Sequence, residues 1–165
     1  MSRARVNVAL MSPASLAALL MLASEIRYAV PHATFAFEEV ALGLYPTGNA
    51  TVLLPRQIAW VHAHELLLTA RSIDARRALE IGLVNAIVEP AELMATALAT
   101  ADTIAANAPL AVRETRRGVR ELVHLSLVDA YRRQEELGAP LRRSDDAREA
   151  QRAFVEKRTP VWKGR

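Results

Sequence analysis

The chain has no cysteine among its 165 residues, which excludes disulfides and Cys-ligated zinc sites and permits a reducing compartment. Glycine is scarce, with six in all and none before Gly43. No GxGxxG or GxxxxGK fingerprint occurs, and GxSxG is missing, so a nucleotide cradle and a Ser-His-Asp or Cys-His nucleophile have no support. The run HAHELLL is no zinc motif: HExxH needs a second histidine where Leu68 stands, and His62 and His64, two apart, lie on different faces of a helix. No metal site is expected. Aromatic residues make up only 5%, and the arginine-rich stretch offers Tyr131 alone for stacking, so nucleic-acid binding is not expected. The apolar run near the N-terminus is short and interrupted by Ser and Pro, which argues against a membrane-spanning helix.

What is present is globular in character. Hydrophobic residues reach 52% and charged residues 24%, with Ala and Leu abundant, a mix that favours helices. The length suits one domain able to bury its own core. Net charge is +3 and the sequence pI is 9.8. The excess lies towards the C-terminus, where Arg113, Arg116, Arg117, Arg120, Arg132, Arg133, Arg142, Arg143, Arg148 and Arg152 alternate with acids, the pattern of a solvated helical face. A phosphate-bearing ligand is a second reading of the same excess.

Most of the chain reads as helices punctuated by clear caps. In Thr34 to Arg56, Phe35, Phe37 and Val40 alternate with smaller or polar residues, predicting a short half-buried strand that ends in the carboxylates Glu38 and Glu39. Apolar Val40, Ala41 and Leu42 follow, and a turn with Gly43, Pro46 and Gly48 leads into a helix through about Ile58. A second helix is expected over Val61 to Leu68, with Leu66, Leu67 and Leu68 towards the core. Asp74 is an N-cap for Ala75 to Glu80, and Gly82 suits a left-handed helix end. Leu83 to Val88 reads as a strand, and Glu89-Pro90 starts a helix to about Ala106. Further helices are predicted from Pro109 to Leu122, from Leu127 to Leu137 after the Ser126 cap, and from Ser144 or Asp145 to Lys157. At the N-terminus, Arg3 and Arg5 precede an apolar run ending in small residues, the layout of a secretory leader; in that case Asn49-Ala50-Thr51 is a glycosylation sequon.

The order F-x-x-x-E-V-x-L-G-L-x-P-x-G, then L-P-R, then ELLLTARSIDARRALEIGLVNAIVEPAEL, and finally AFVEKRTPVWKGR, resembles the enoyl-CoA hydratase/isomerase (crotonase) superfamily from about Leu20 to Arg165. The register continues through LMLASEIRYAV, which argues for the early residues belonging to the fold rather than to a leader. The resemblance implies an α/β, crotonase-like (ClpP/crotonase) fold that lacks much of its N-terminal β-sheet section. Such a fold is helix-dominated, with residues 1–89 the remnant of the core and 90–165 a C-terminal helical region for trimer and coenzyme A contacts, together one structural unit. Truncation, a remnant and a misplaced start are all open readings of the short N-terminal section.

The same resemblance implies the chemistry. Glu39 falls at a glutamate position that relatives use as acid/base, and the backbone N–H of Leu16 at an oxyanion donor, although relatives carry a Gly-rich turn there. Glu38, Leu44, Tyr45 and Thr47 fall beside the substrate, and Phe154, Lys157 and Lys163 at positions that reach the acyl chain or the coenzyme A phosphates; the plain alternative makes Phe154 core and the lysines solvated. The second glutamate of a hydratase aligns with Leu19, which transfers no proton. A single carboxylate still suffices to shuttle a proton between two carbons, as double-bond isomerisation requires. The expectation is therefore an enzyme on 2- or 3-enoyl-CoA thioesters. It is expected to need no cofactor beyond the coenzyme A of its substrate, and to be cytoplasmic and a homo-oligomer, trimer or dimer of trimers, with no membrane or nucleic-acid partner. The alternatives are a non-catalytic binding or assembly module of the same family, and a secreted helical protein.

Overall fold

A computed structural model of the chain describes the backbone of residues 6–9 and all of residues 20–165. Its described residues divide into two compact units, one ending at Ala101 and the other Asp102–Arg165, and each is taken by itself.

The first unit is built on a parallel sheet of β1 (Val6–Ala9), β2 (Ile26–Ala29) and β5 (Ala86–Ile87), in the order β1-β2-β5. Val6 pairs with Ile26 and Ala9 with Ala29, and Tyr28 with Ala86 on the other side. Parallel strands need both faces covered. Tyr28, Ala29 and Val30 are buried accordingly, and the Tyr28 hydroxyl meets Thr100 Oγ1 at 2.7 Å. The leader reading falls on residues of which only 6–9 are described within the first nineteen, and there the backbone is β1.

Around this sheet lie β3 (Thr34–Phe35), antiparallel to β4 (Ile73–Asp74), and the helices α1 (Ala50–Gln57), α2 (Trp60–Thr69), α3 (Ala75–Glu80) and α4 (Leu93–Ala105). The core holds Leu22, Phe37, Leu54 and Leu83, all fully buried, interleaved with Ala50, Ala63, Ala75 and Ala78. Alanine on the inner face of each short helix lets the backbones approach closely while Leu and Phe fill the gaps. Asp74 caps α3 as expected, accepting the Arg77 N–H at 2.8 Å, and Gly82 is left-handed at φ 75°.

Four expectations need correction. The strand expected to run to Glu39 stops at Phe35, because its partner β4 is only two residues long; Glu39–Leu42 forms a 3-10 turn instead. Leu68 is exposed while Leu66 and Leu67 are buried, since three consecutive helical residues span far more than one face. The strand expected over Leu83 to Val88 shrinks to β5; Leu83 and Val84 are buried in a turn bonded back to Ala78 O. The helix expected from Glu89-Pro90 begins at Leu93, after a turn in which Glu92 N–H donates to Glu89 O.

The second unit contains α5 (Pro109–Leu122), α6 (Leu127–Leu141) and α7 (Asp145–Glu156). Proline opens α5, and Ser126 and Ser144 cap α6 and α7 by accepting the N–H of Asp129 and Ala147. The α6 helix continues a turn beyond the expected Leu137, through Pro140. The interleaved arginines form an exposed relay: Arg113 and Arg117 pair with Glu114, Arg117 and Arg133 share Glu121, and Arg133 reaches Glu136. Among the described residues of this unit, Ala153 is the one buried hydrophobic side chain, and the other buried side chains are the acids Asp146 and Glu149. No helix among the described residues is long and apolar enough to cross a membrane.

Candidate active site

The residues after β3 turn a buried aromatic pair into a buried acid. Phe35 and Phe37 point into the core, Glu38 between the core and solvent is exposed, and Glu39 is turned inwards by the 3-10 geometry that starts with it. The turn packs against α2. Gly43, left-handed at φ 72°, closes it: the N–H groups of Gly43 and Leu44 both donate to Glu39 O, the latter at 2.8 Å. The backbone of Glu39 is therefore pinned. Its side chain is not. Glu39 is 9% exposed, and its Oε2 is, among the described residues, the buried side-chain oxygen without a hydrogen-bond partner. Buried polar atoms in native proteins nearly always have a partner, and one that lacks it marks strain, a catalytic role, or an unseen water or ligand.

Leu44, Tyr45 and Thr47 follow on the loop towards α1 and are exposed. The Tyr45 hydroxyl donates to Thr51 Oγ1 at 3.1 Å, fastening the loop to the first turn of α1, while Pro46 is buried beneath it. Asn49 heads α1 in the left-handed region at φ 74°, which Asn tolerates better than most residues. Glu38, Leu44, Tyr45 and Thr47 are thus exposed on the segment of chain on either side of the buried Glu39. Leu16 and Leu19 lie outside the described residues. Phe154 and Lys157 belong to the second unit, on α7 and at its C-cap. Phe154 is 86% exposed, so the reading of it as core is corrected, and Lys157 and Lys163 are exposed as well. Phe154 follows the buried Ala153 on α7, and its ring is left exposed.

One residue escaped the sequence reading. Arg27, which lies within the run LMLASEIRYAV, is buried, and its guanidinium donates to Ser24 O, Leu83 O and Gln57 Oε1. Burial pushes its pKa down, opposed by the Glu25 charge. An arginine in the middle of an alternating strand reads as solvent-facing, and only the paired amides of Gln57 and Asn85, far along the sequence, signal otherwise.

His62 and His64 go to different faces of α2, as their spacing requires. His62 Nδ1 lies 3.3 Å from Arg77 Nη2, and His64 bonds Trp60 O with its ring tilted against the Trp60 indole.

The chain is similar to known proteins along most of its length. The family model for enoyl-CoA hydratase/isomerase matches residues 5–165, so the likeness reaches back through β1, beyond the Leu20 limit of the motifs. Enoyl-CoA hydratase EchA19 of Mycobacterium tuberculosis is 40% identical over 142 residues, 86% of this chain and 53% of that protein. Carnitinyl-CoA dehydratase of Proteus mirabilis is 35% identical over 150 residues, covering 88% of this chain and 58% of the relative. Among solved structures, an enoyl-CoA hydratase from Mycobacterium tuberculosis superposes with a TM-score of 0.87 at 35% identity, and one from Bacillus anthracis with 0.88 at 31%. Each covers 97% of this chain, which spans 61% and 60% of those structures. The fold is thus crotonase-like and helix-dominated, and the chain spans little more than half the length of the curated relatives it matches. With the motifs, the sheet order and these likenesses in agreement, the chain belongs to the enoyl-CoA hydratase/isomerase family.

Proposed function

We propose that this chain carries the acid/base carboxylate of an acyl-CoA enzyme acting on 2- or 3-enoyl-CoA thioesters, with Glu39 in that role. The observation that supports it most is the buried, unpartnered Oε2 of Glu39. A buried acceptor left unmet costs about 1–3 kcal/mol, more when charged, and a site that receives a proton from substrate or water supplies the missing donor when occupied. The carboxylate takes a proton from the carbon next to the thioester carbonyl and returns it to a carbon further along. The enolate formed in between is held by backbone N–H groups, with the Leu16 N–H as one donor. Leu19 at the second carboxylate position favours isomerisation, which asks for one shuttle, over hydration, which asks for two groups around a water. Coenzyme A enters as part of the substrate, and no separate cofactor is called for. The exposed stretch Glu38, Leu44, Tyr45 and Thr47 is the natural bed for the acyl portion.

A second reading, a non-catalytic assembly module, draws on a different observation. The second unit leaves Val119, Val123, Leu127, Val128, Phe154 and Val155 exposed and buries almost no apolar side chain of its own. Such a unit is completed by association, and a cytoplasmic homo-oligomer, trimer or dimer of trimers, serves both readings. Optical assays of crotonyl-CoA hydration and of 3-enoyl-CoA isomerisation separate the two. Turnover that falls about 10²–10⁴-fold in Glu39→Gln supports the enzyme. Turnover that survives the substitution removes Glu39 from the chemistry, and none in the unmodified chain favours the module.

A further inference from the structure

Arg27 is a buried charge for which the proposed chemistry has no use. At 6% exposure its guanidinium donates from Nε and Nη2 to Ser24 O at 3.2 and 3.0 Å, and from Nη1 to Leu83 O at 3.0 Å. Nη2 also donates to Gln57 Oε1, and Gln57 passes the link on, donating from Nε2 to Leu22 O at 2.8 Å. The backbone of Arg27 is clamped reciprocally by Asn85: its N–H donates to Asn85 Oδ1 at 2.7 Å, and Asn85 N–H donates to Arg27 O at 2.8 Å. None of these acceptors is a carboxylate. An apolar side chain of similar volume commonly does as well as a buried ion, or better, so packing alone is a poor account of the charge. What a guanidinium adds is a planar fork of five donors that reaches several segments at once. Here those segments are the turn at Leu22–Ser24, the approach to β5 at Leu83, and the C-terminal end of α1.

The α1 helix is thereby held at both ends. Its C-terminal residue, Gln57, is fixed by Arg27 and Leu22 O. Its first turn is fixed to the loop after Glu39 through Tyr45 and Thr51, and that loop to the Glu39 carbonyl through Leu44. With eight residues at 1.5 Å rise the helix, which carries Pro55 in its second turn, is a short lever of about 12 Å. We propose that Arg27, acting through Gln57, is a positioning residue that sets where α1 and the loop at residues 44–49 stand relative to the Glu39 carboxylate. The consequence for turnover rests on the acyl-CoA reading above; the consequence for the loop does not.

The test uses the full chain with Gln57→Leu, which leaves Arg27 bonded to Ser24 and Leu83, and Arg27→Lys, whose single ammonium cannot reach three segments. Amide hydrogen exchange is followed by peptide, with α5 as internal reference, and kcat and KM are measured on the acyl-CoA that the unmodified chain turns over. In both variants, exchange over residues 44–57 is expected to rise about tenfold against α5, and kcat to fall about ten- to a hundredfold with KM changed less than twofold, since small misplacements are felt mainly in the reacting geometry. Unchanged exchange over 44–57 in Gln57→Leu, or a rise shared equally by α5, overturns the proposal; so does faster loop exchange with an unchanged kcat. Should Arg27→Lys fail to fold, Gln57→Leu decides. If the unmodified chain turns over no acyl-CoA, the acyl-CoA reading falls by itself, and the exchange measurement alone decides for or against the lever.

Discussion

Among the described residues the first unit buries one acidic side chain and the second buries two, and they are treated in opposite ways. In the second unit, Asp146 accepts the N–H groups of Lys163 and Gly164, and Glu149 accepts the Arg158 guanidinium and the Val161 N–H. Both acids fasten the tail at residues 161–165 across α7, helped by Trp162 Nε1 donating to Ala106 O. In the first unit, Glu39 is buried at the edge of an apolar core, its backbone tightly bonded and its Oε2 bonded to nothing. Burial by itself does not separate an acid that fastens the fold from the one proposed to react; the accounting of partners does. A satisfied carboxylate stabilises the fold, whereas an unsatisfied one is a local stability loss, which is the observation that supports the role proposed for Glu39.

Substituting the two acids in parallel breaks this contrast if it is wrong. The largest effect belongs to Glu39→Gln: turnover falls by the two to four orders of magnitude given above, while the melting temperature stays level or rises, because the substitution keeps the side chain's shape and breaks no hydrogen bond at Oε2. A melting temperature several degrees lower would place Glu39 with the structural acids. Glu149→Gln is expected to do the reverse in stability, lowering the melting temperature by several degrees as the Arg158 and Val161 bonds weaken. Calorimetry of the two variants side by side measures both.

The pH dependence sharpens the same point. The Arg158 guanidinium, and then the Val161 N–H, hold the Glu149 carboxyl down to about 2. Its folded pKa lies below the unfolded value of 4.5, so its contribution is fully present above about pH 4.5 and is lost as pH falls from there towards 2. Acid titration of the unmodified chain should loosen the tail over that window, seen as a change in the Trp162 environment, and Glu149→Gln should flatten the response. A response unchanged in that variant would assign the acid sensitivity to other groups.

How far the sequence spoke depended on how local each signal was. Helix ends were legible where one side chain makes the cap: Asp74, Ser126, Ser144 and Gly82 all act where their types predict. Elements whose length is set by a distant partner were not. The strand meant to deliver Glu39 is cut short by β4, nearly forty residues away, and the acid arrives on a 3-10 turn. The surface stretch after Glu39 could be placed by motif, but the missing partner of Oε2 could not, because it is a property of everything that surrounds the oxygen. Arg27 was illegible for the same reason: its acceptors sit on Ser24, Gln57 and Leu83, and only folding brings them together. Conversely, the arginine-rich region was read correctly as a solvated face, since charges spaced three and four apart pair along one helix whatever the rest of the chain does.

Caps come next in size. Ser144→Ala removes the oxygen that accepts the Ala147 N–H at 3.0 Å and the hydroxyl that donates to Leu141 O at 2.7 Å, at the very turn of α7 that holds Asp146. A loss of about 1 kcal/mol is expected in chemical denaturation. Asp74→Ala should cost about as much in the first unit. Equal losses at the two caps would show that the units differ in how they treat buried acids and not in how their helices begin.

The smallest effect tests whether pairing without burial matters at all. Arg142 and Glu135 face each other at 3.0 Å with both side chains more than 60% exposed. Their attraction is screened by water and salt, and holding two long side chains in one geometry costs entropy, so such pairs contribute about 0–1 kcal/mol. Arg142→Ala should therefore leave the denaturation midpoint almost unmoved, and raising the salt concentration should leave the difference from the unmodified chain smaller still. A loss as large as that of Glu149→Gln would mean that an exposed pair weighs as much as a buried one, and the distinction drawn between buried and solvated acids would have to be given up there. A negligible loss leaves the weight on Asp146 and Glu149, the two buried acids, which are met by the N–H groups of Val161, Lys163 and Gly164 and by the Arg158 guanidinium.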